Sequence, residues 1–258
     1  MKLHQAASFS RALMRIPKAQ AVFWPGCALM GLDKEILQKT LHVLRREEPG
    51  IKAACGCCAQ PTKYLEPEQY EHRVHRLLTQ LHDNGVLRIY TACPNCTVML
   101  RQIAPQQIIP IWDVLSARLQ PKDIVSSGGI YALHDPCPMR KEHVQHDAIR
   151  KLLTLAGAHV VEFANCRERT RCCGNVHMLH TIDPKKSEMI RKARVAEIPA
   201  GVPVSSYCEG CLGAFRSEHV STAHVLELLF GKSRSRGWLN RIRYTLSANR
   251  DTPLEPRT

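Results

Sequence analysis

Ten of the twelve cysteines fall into two sets of the same make-up: a single cysteine, an adjacent pair and a Cys-x-x-Cys. The first set is Cys27, Cys57, Cys58, Cys93 and Cys96, and the second is Cys137, Cys172, Cys173, Cys208 and Cys211. Thiolates are soft ligands that suit iron–sulfur clusters and zinc. Five thiolates, two of them adjacent, exceed what a closed tetrahedral zinc site uses. Each set therefore points to a multi-iron cluster, and redox chemistry is the expected work. Cys55 and Cys166 lie outside both sets and read as small apolar core residues, with an auxiliary thiol as the alternative. His134 and Asp135 precede Cys137, and His177 follows Gly174. Histidine is the usual proton donor near neutral pH, but these residues are expected to hydrogen-bond to sulfur or backbone rather than to act catalytically.

The rest of the composition narrows the setting. A chain of 258 residues with 44% hydrophobic residues buries a real core and has room for one large domain or two smaller ones. It shows no secretory h-region and no apolar run of about 18 or more residues. Metal-bound thiolates in a reduced, cytoplasmic compartment are expected over a disulfide scaffold. The net charge of +13 is concentrated at the ends: residues 1–20 hold four basic residues and no acid, and residues 232–258 hold seven basic against two acidic. Basic tails on a nearly balanced body suggest an anionic surface or an acidic partner, and no nucleic-acid groove; solvated ends are the plainer alternative.

The cysteines must be positioned by elements that repeat. WPGC (24–27), GCC (56–58), TACPNC (91–96) and IWDVL (111–115) recur as HDPC (134–137), RCCG (171–174), SYCEGC (206–211) and VLELL (225–229). The shift is 110 residues for the single cysteine and 115 for each later one. Apolar, partly β-branched runs at 21–24, 88–91, 130–133, 160–163 and 202–206 read as strands. Helical patterns fill 33–46, 68–82, 142–156 and 184–195, the last opened by Asp183 and Pro184. The fold expected is α/β: two pseudo-symmetric repeats, each a small, mostly parallel sheet flanked by helices, with the cysteines at the strand C-terminal edges. The division is a basic tail (1–20), a first repeat (21–119), a linker (120–129), a second repeat (130–231) and a basic tail (232–258).

At HDPC, CCG (172–174) and TACPNC the chain resembles the cysteine-rich CCG-domain family, named for C-x(n)-C-C-G-x(n)-C-x-x-C, over about residues 21–231. Its members include the B subunit of heterodisulfide reductase and iron–sulfur subunits of glycolate oxidase, lactate-utilisation and some succinate dehydrogenase or fumarate reductase complexes. In the heterodisulfide reductase branch each five-cysteine set holds a noncubane [4Fe–4S] cluster. The resemblance implies two such clusters here, on the ten cysteines named, and reduction of a disulfide-type small molecule. The first copy departs from the motif with Ala59 where the family usually has glycine; the second keeps Gly174. No C-x2-C-x2-C-x3-C run is present, so a separate electron donor is expected, ferredoxin-like or a flavoprotein.

Other readings stay open. The same chemistry without substrate turnover would make an electron-relay subunit of a membrane-associated, quinone-linked dehydrogenase. Residues 237–246 (GWLNRIRYTL) form a candidate amphipathic helix, with Trp238, Leu239, Ile242 and Leu246 on one face. Such a helix suits peripheral contact with the inner face of a membrane, or packing on this chain's own core or a partner. A zinc-stabilised binding module is the alternative of another class. A cysteine hydrolase is disfavoured, since no Cys–His–Asn arrangement stands apart from the metal motif.

Overall fold

Both repeats fold as the same alternation of strands and helices in the computed structural model, which describes residues 2–125, 128–233 and 237–249. A helix α1 (Lys2–Ser8) comes first. The first repeat then runs β1 (Ala21–Trp24), α2 (Lys34–Leu44), β2 (Lys52–Ala53), α3 (Gln60–Leu65), α4 (Pro67–Asp83), β3 (Arg88–Thr91), α5 (Pro94–Ile103), β4 (Gln107–Pro110) and α6 (Ile111–Arg118). The second runs β5 (Ile130–His134), α7 (His143–Leu155), β6 (His159–Glu162), α8 (Leu179–Ile182), α9 (Pro184–Val195), β7 (Val204–Ser206), α10 (Glu209–Arg216), β8 (Thr222–His224) and α11 (Val225–Phe230). A last helix, α12, covers Trp238–Ser247. The sheets have orders β2-β1-β3-β4 and β6-β5-β7-β8, and every pairing is parallel. The two topologies are identical, as the sequence repeat requires.

Strand β1 is buried along its whole length because helices cover both faces of a parallel sheet. Successive side chains alternate between those faces. Ala21 and Phe23 join a core shared with Tyr90, Leu133 and the helices α2, α6, α7 and α11. These four helices pack against one another across the repeat boundary, so one apolar layer welds the two repeats into one body. Leu37, Leu152, Leu226 and Leu229 are fully enclosed there, each worth about 1.5–3 kcal/mol of burial. Val22 and Trp24 face the other way, into a second core with Cys57, Cys58 and Cys96. The matching face of the second sheet holds Ala132 and Val204 with Cys173, Cys208 and Cys211.

Most predicted elements appear within a few residues: β1, β3 and α9 at the expected bounds, β6 one residue early and β7 two residues late. Asp183 caps α9 by accepting from the Lys186 N–H at 3.0 Å, with Pro184 at the first helical position. The edge strands β2, β4 and β8 and the short helices α3 and α6 were not foreseen, being two to eight residues long.

The basic ends differ from the expected tails wherever they are described. Phe9 and Met14 are buried against the first repeat, and Arg15 and Cys55 exchange backbone hydrogen bonds of 2.7 and 2.8 Å. The Asn249 side chain bonds both main-chain groups of Ala53, at 2.8 and 2.9 Å, and so closes the open edge of β2. Charge counting missed the apolar residues that make these segments dock. Residues 126–127, in the expected linker, and 234–236 and 250–258, in the C-terminal segment, lie outside the described residues. Helix α12 is amphipathic as foreseen, but its polar side faces inward. Asn240, Arg241, Tyr244 and Thr245 are buried, whereas Trp238, Leu239, Leu246 and Arg243 are exposed. Asn240 Nδ2 donates to the Gly31 carbonyl at 3.1 Å and Arg241 Nη1 to Ser8 Oγ at 3.0 Å. No helix among the described residues is long and apolar enough to cross a membrane.

Candidate metal centres

The cysteines of each set come from three loops at the C-terminal ends of neighbouring strands. Cys27 follows β1, the pair Cys57–Cys58 follows β2, and Cys93 caps α5 directly after β3. The second repeat copies this: Cys137 follows β5, Cys172–Cys173 lie beyond β6, and Cys208 caps α10 after β7. The unpaired N–H groups of a helix start favour a thiolate there. Backbone N–H groups of Cys211 and Gly210 add to the Cys211 thiol in lowering the Cys208 pKa.

The loops approach so closely that side chains are excluded. A Cβ on Gly26 (φ +89°) would lie 2.8 Å from Cys93 Cβ and 3.2 Å from Cys96 Sγ. A Cβ on Gly174 (φ +89°) would lie 2.5 Å from the Ser187 carbonyl oxygen, and Ser187 Oγ donates to the Gly174 carbonyl at 2.7 Å. At the matching place in the first repeat Ala59 holds the same left-handed conformation, φ +66°. The loop shape survives the substitution that the sequence flagged, with the strain of a Cβ in that region.

The structure brings the ten cysteines together as two five-thiol sets. The Cys27 thiol interacts with that of Cys57, and Cys58 with Cys57 and Cys96. Cys172 interacts with Cys137 and Cys173, and Cys211 with Cys173 and Cys208. Charge cannot spread over such a set unaided. Cys58 is held down to about 6 by its bonds to Cys57 and Cys96. Cys172 is lowered by Cys137 and Cys173, helped by the Val176 and Gly174 N–H groups. Their neighbours Cys27, Cys96, Cys137, Cys173 and Cys211 are all raised, in each case first by the hydrogen bond to the thiol beside it. Several buried thiolates require a compensating cation, so the donor sets fit multivalent metal centres.

The surroundings of the second set include two residues of unequal legibility. A ring nitrogen of His134 and the Sγ atoms of Cys173 and Cys211 all lie within 4.8 Å of one another. His134 is fully buried, wedged edge-on against Phe215 and Phe163 at 5.1 and 6.0 Å. Burial, then the Arg194 charge, lowers its pKa to about 3 and keeps it neutral. Arg194, which no sequence signal marked, donates from Nε to His134 Nδ1 at 3.3 Å. The Arg194 guanidinium also stacks 3.9 Å from the Phe163 ring centroid and pairs with Glu197 at 2.6 Å. Asp135 is a clamp: it pairs with Arg150 at 2.9 Å and accepts from the Arg167 N–H at 2.7 Å.

His177 is not among the cysteines; it stacks on Tyr64 of the first repeat, centroids 4.7 Å apart. Tyr64 sits on α3, just after Cys57–Cys58, and α3 packs against the turn Val176–Met178, just after Cys172–Cys173. The two adjacent-cysteine loops therefore flank one junction between the repeats. Cys55 is enclosed in the core, where burial raises it to about 11, and Cys166 is half-buried and likewise raised by burial. Neither joins a set. In the first set, Cys57 Sγ reaches Gln5 Oε1 at 3.8 Å, a contact hidden in a segment expected to be a tail.

A model of the cysteine-rich domain designated CCG matches residues 21–101 and again 131–216. A protein of Syntrophomonas wolfei named EtfAB:quinone oxidoreductase is 26% identical over 129 residues, which is 46% of this chain and 18% of that protein. The chain thus spans about a fifth of that relative's length. Among solved structures, the glutamate racemase isoform RacE1 of Bacillus anthracis aligns with TM-score 0.34 and 13% identity over 81% of this chain and 77% of that one. The aspartate racemase of Picrophilus torridus aligns with TM-score 0.33 and 11% identity over 86% and 96%. Neither alignment is close enough to bear on function.

Proposed function

The chain belongs to the CCG cysteine-rich domain family, and from that premise we propose that it is an iron–sulfur redox subunit of a larger oxidoreductase. In this reading the units 21–119 and 130–231 hold one centre each. Cys27, Cys57, Cys58, Cys93 and Cys96 hold the first, and Cys137, Cys172, Cys173, Cys208 and Cys211 the second. The observation that carries the reading is the gathering of ten thiols into two matching, largely buried sets. A [4Fe–4S] cluster in each set, noncubane or cubane, would supply one-electron transfer. The protein's part is to shield the centres from water, to aim helix N-termini at them, and to hold the two adjacent-cysteine loops at one junction.

Two tasks suit such a subunit. The first is to relay electrons from a flavoprotein or ferredoxin-like partner towards quinone. The distant relative named EtfAB:quinone oxidoreductase supports this task. So does the outward apolar face of α12, where Trp238, Leu239 and Leu246 beside Arg243 would suit an anionic membrane surface. The second is reduction of a disulfide-type small molecule, as in the heterodisulfide reductase branch. The shared junction of the two loops supports that task.

Anoxic purification with iron and acid-labile sulfide analysis, and spectra before and after dithionite, tests the core of the proposal. About eight irons and eight sulfides per chain with reducible colour are expected, and about four would reduce it to one centre. A colourless chain holding stoichiometric zinc would overturn it. With a loaded chain, turnover of a quinone analogue or of a disulfide by the dithionite-reduced protein separates the two tasks.

A further inference from the structure

His134 sits where a sixth ligand to the second centre would sit, yet its hydrogen bonding assigns it a different part. Its Nδ1 receives the Arg194 guanidinium, Nε and Nη2 both at 3.3 Å. A guanidinium has donors only, so Nδ1 must offer its lone pair. An imidazole whose Nδ1 lone pair is taken up in this way carries its proton on Nε2. Ligation through Nε2 would need the opposite tautomer, with the proton on Nδ1 facing the arginine. Arg194 is not free to turn aside: it is stacked on Phe163, paired with Glu197, and in reach of Thr170 Oγ1 at 3.4 Å. Nε2 itself is buried and has no partner among the described residues, while a ring nitrogen, Cys173 Sγ and Cys211 Sγ stand within 4.8 Å of one another.

We propose that the His134 Nε2–H is a fixed hydrogen-bond donor to a sulfur of the second centre, locked in that tautomer by Arg194, and that it sets that centre's reduction potential without ligating metal. The inference rests on the function proposed above. A donor to sulfur stabilises the more negative, reduced state, so it raises the potential. The residue is a positioning and tuning group. Trp24 occupies the corresponding place in the first repeat, since WPGC aligns with HDPC. Its indole Nε1 is likewise buried with no partner among the described residues. An indole can only donate, so both repeats end their first strand on an N–H donor, and only the histidine needs an arginine to make it one.

The test uses the full chain, purified without oxygen. In the metal-free protein, long-range ¹H–¹⁵N spectra of histidine-labelled wild type should show His134 protonated at Nε2, and the proton on Nδ1 would overturn the proposal. In the iron-loaded protein, His134→Leu should keep its iron. One of the two potentiometric waves should shift down by about tenfold in the one-electron equilibrium constant, about 59 mV, and the other should stay. His134→Gln, whose amide N–H can replace Nε2–H, should recover most of the shift. Loss of second-centre iron in both variants would make His134 a ligand, and an unmoved wave at full iron content would make it inert; either overturns the proposal alone. A wild-type chain that binds no iron overturns the proposed function and this inference with it.

Discussion

Gly174→Ala is the substitution for which the structure gives the largest effect from the smallest change. The added methyl would stand 2.5 Å from the Ser187 carbonyl oxygen and 3.1 Å from Arg191 Cβ, both on α9. Helix and loop must separate, and the 2.7 Å bond from Ser187 Oγ to the Gly174 carbonyl breaks. That bond is worth about 1 kcal/mol, and a Cβ in the left-handed region costs roughly 1–2 kcal/mol. The stiffer unfolded chain returns about 0.4–1 kcal/mol. The net loss is about 1–3 kcal/mol before the cost of the close contact is added, which for a chain of this size lowers Tm by roughly 2–10 °C or more. Thermal unfolding of the metal-free chain under reducing conditions reads this directly. Ala59→Gly makes the converse change where alanine is already accommodated at φ +66°. It relieves about 1–2 kcal/mol of strain and loses about 0.4–1 kcal/mol of chain stiffness, so its Tm should rise by roughly 0–6 °C and should not fall. A Gly174→Ala Tm within 1 °C of wild type would refute the reasoning, because the close approach would then not exist.

Cys208→Ser should remove about half the bound iron and leave the first centre reducible, whereas Cys55→Ala, in the core beside no set, should keep the full complement; iron analysis checks both. Burial holds His224 down to about 3, so its contribution to stability is full above the unfolded pKa of about 6.5 and is lost as pH falls towards 3. At pH 5 the loss is about 2 kcal/mol. His224→Asn, which keeps an acceptor for the Leu226 N–H that Nδ1 now takes at 3.2 Å, should flatten denaturant-measured stability of the metal-free chain between pH 7 and 5 by about that amount. Leu239→Ser combined with Leu246→Ser should weaken binding to phosphatidylglycerol vesicles about tenfold or more in co-sedimentation with little change in Tm, since both side chains are more than half exposed.

The legible part of this protein was the part whose signal is local or repeated. The two cysteine sets, the strands β1 and β3 and the cap of α9 are each written within a few consecutive residues, and the duplication wrote the cysteine pattern twice. Edge strands as short as β2 carry too few residues for a period to show, though their neighbours fix where they lie. The apolar face of α12 was readable, but its direction was not. Amphipathicity says that a helix has two faces; only the hydrogen bonds of Asn240 and Arg241 say which one is turned inward. The same limit explains Arg194, which lies 60 residues from His134. It reaches that ring because α9 is one of the crossover helices that lead from β6 to β7, and so lies on the face of the sheet where β5 ends. A parallel sheet gathers the C-terminal ends of its strands at one edge, so any loop or helix passing that edge can supply a residue to the centre from anywhere in the chain. The two cysteine sets could be read because cysteine is rare and chemically marked. The groups packed around them are common residues, and their contacts exist only once the sheet has closed around them.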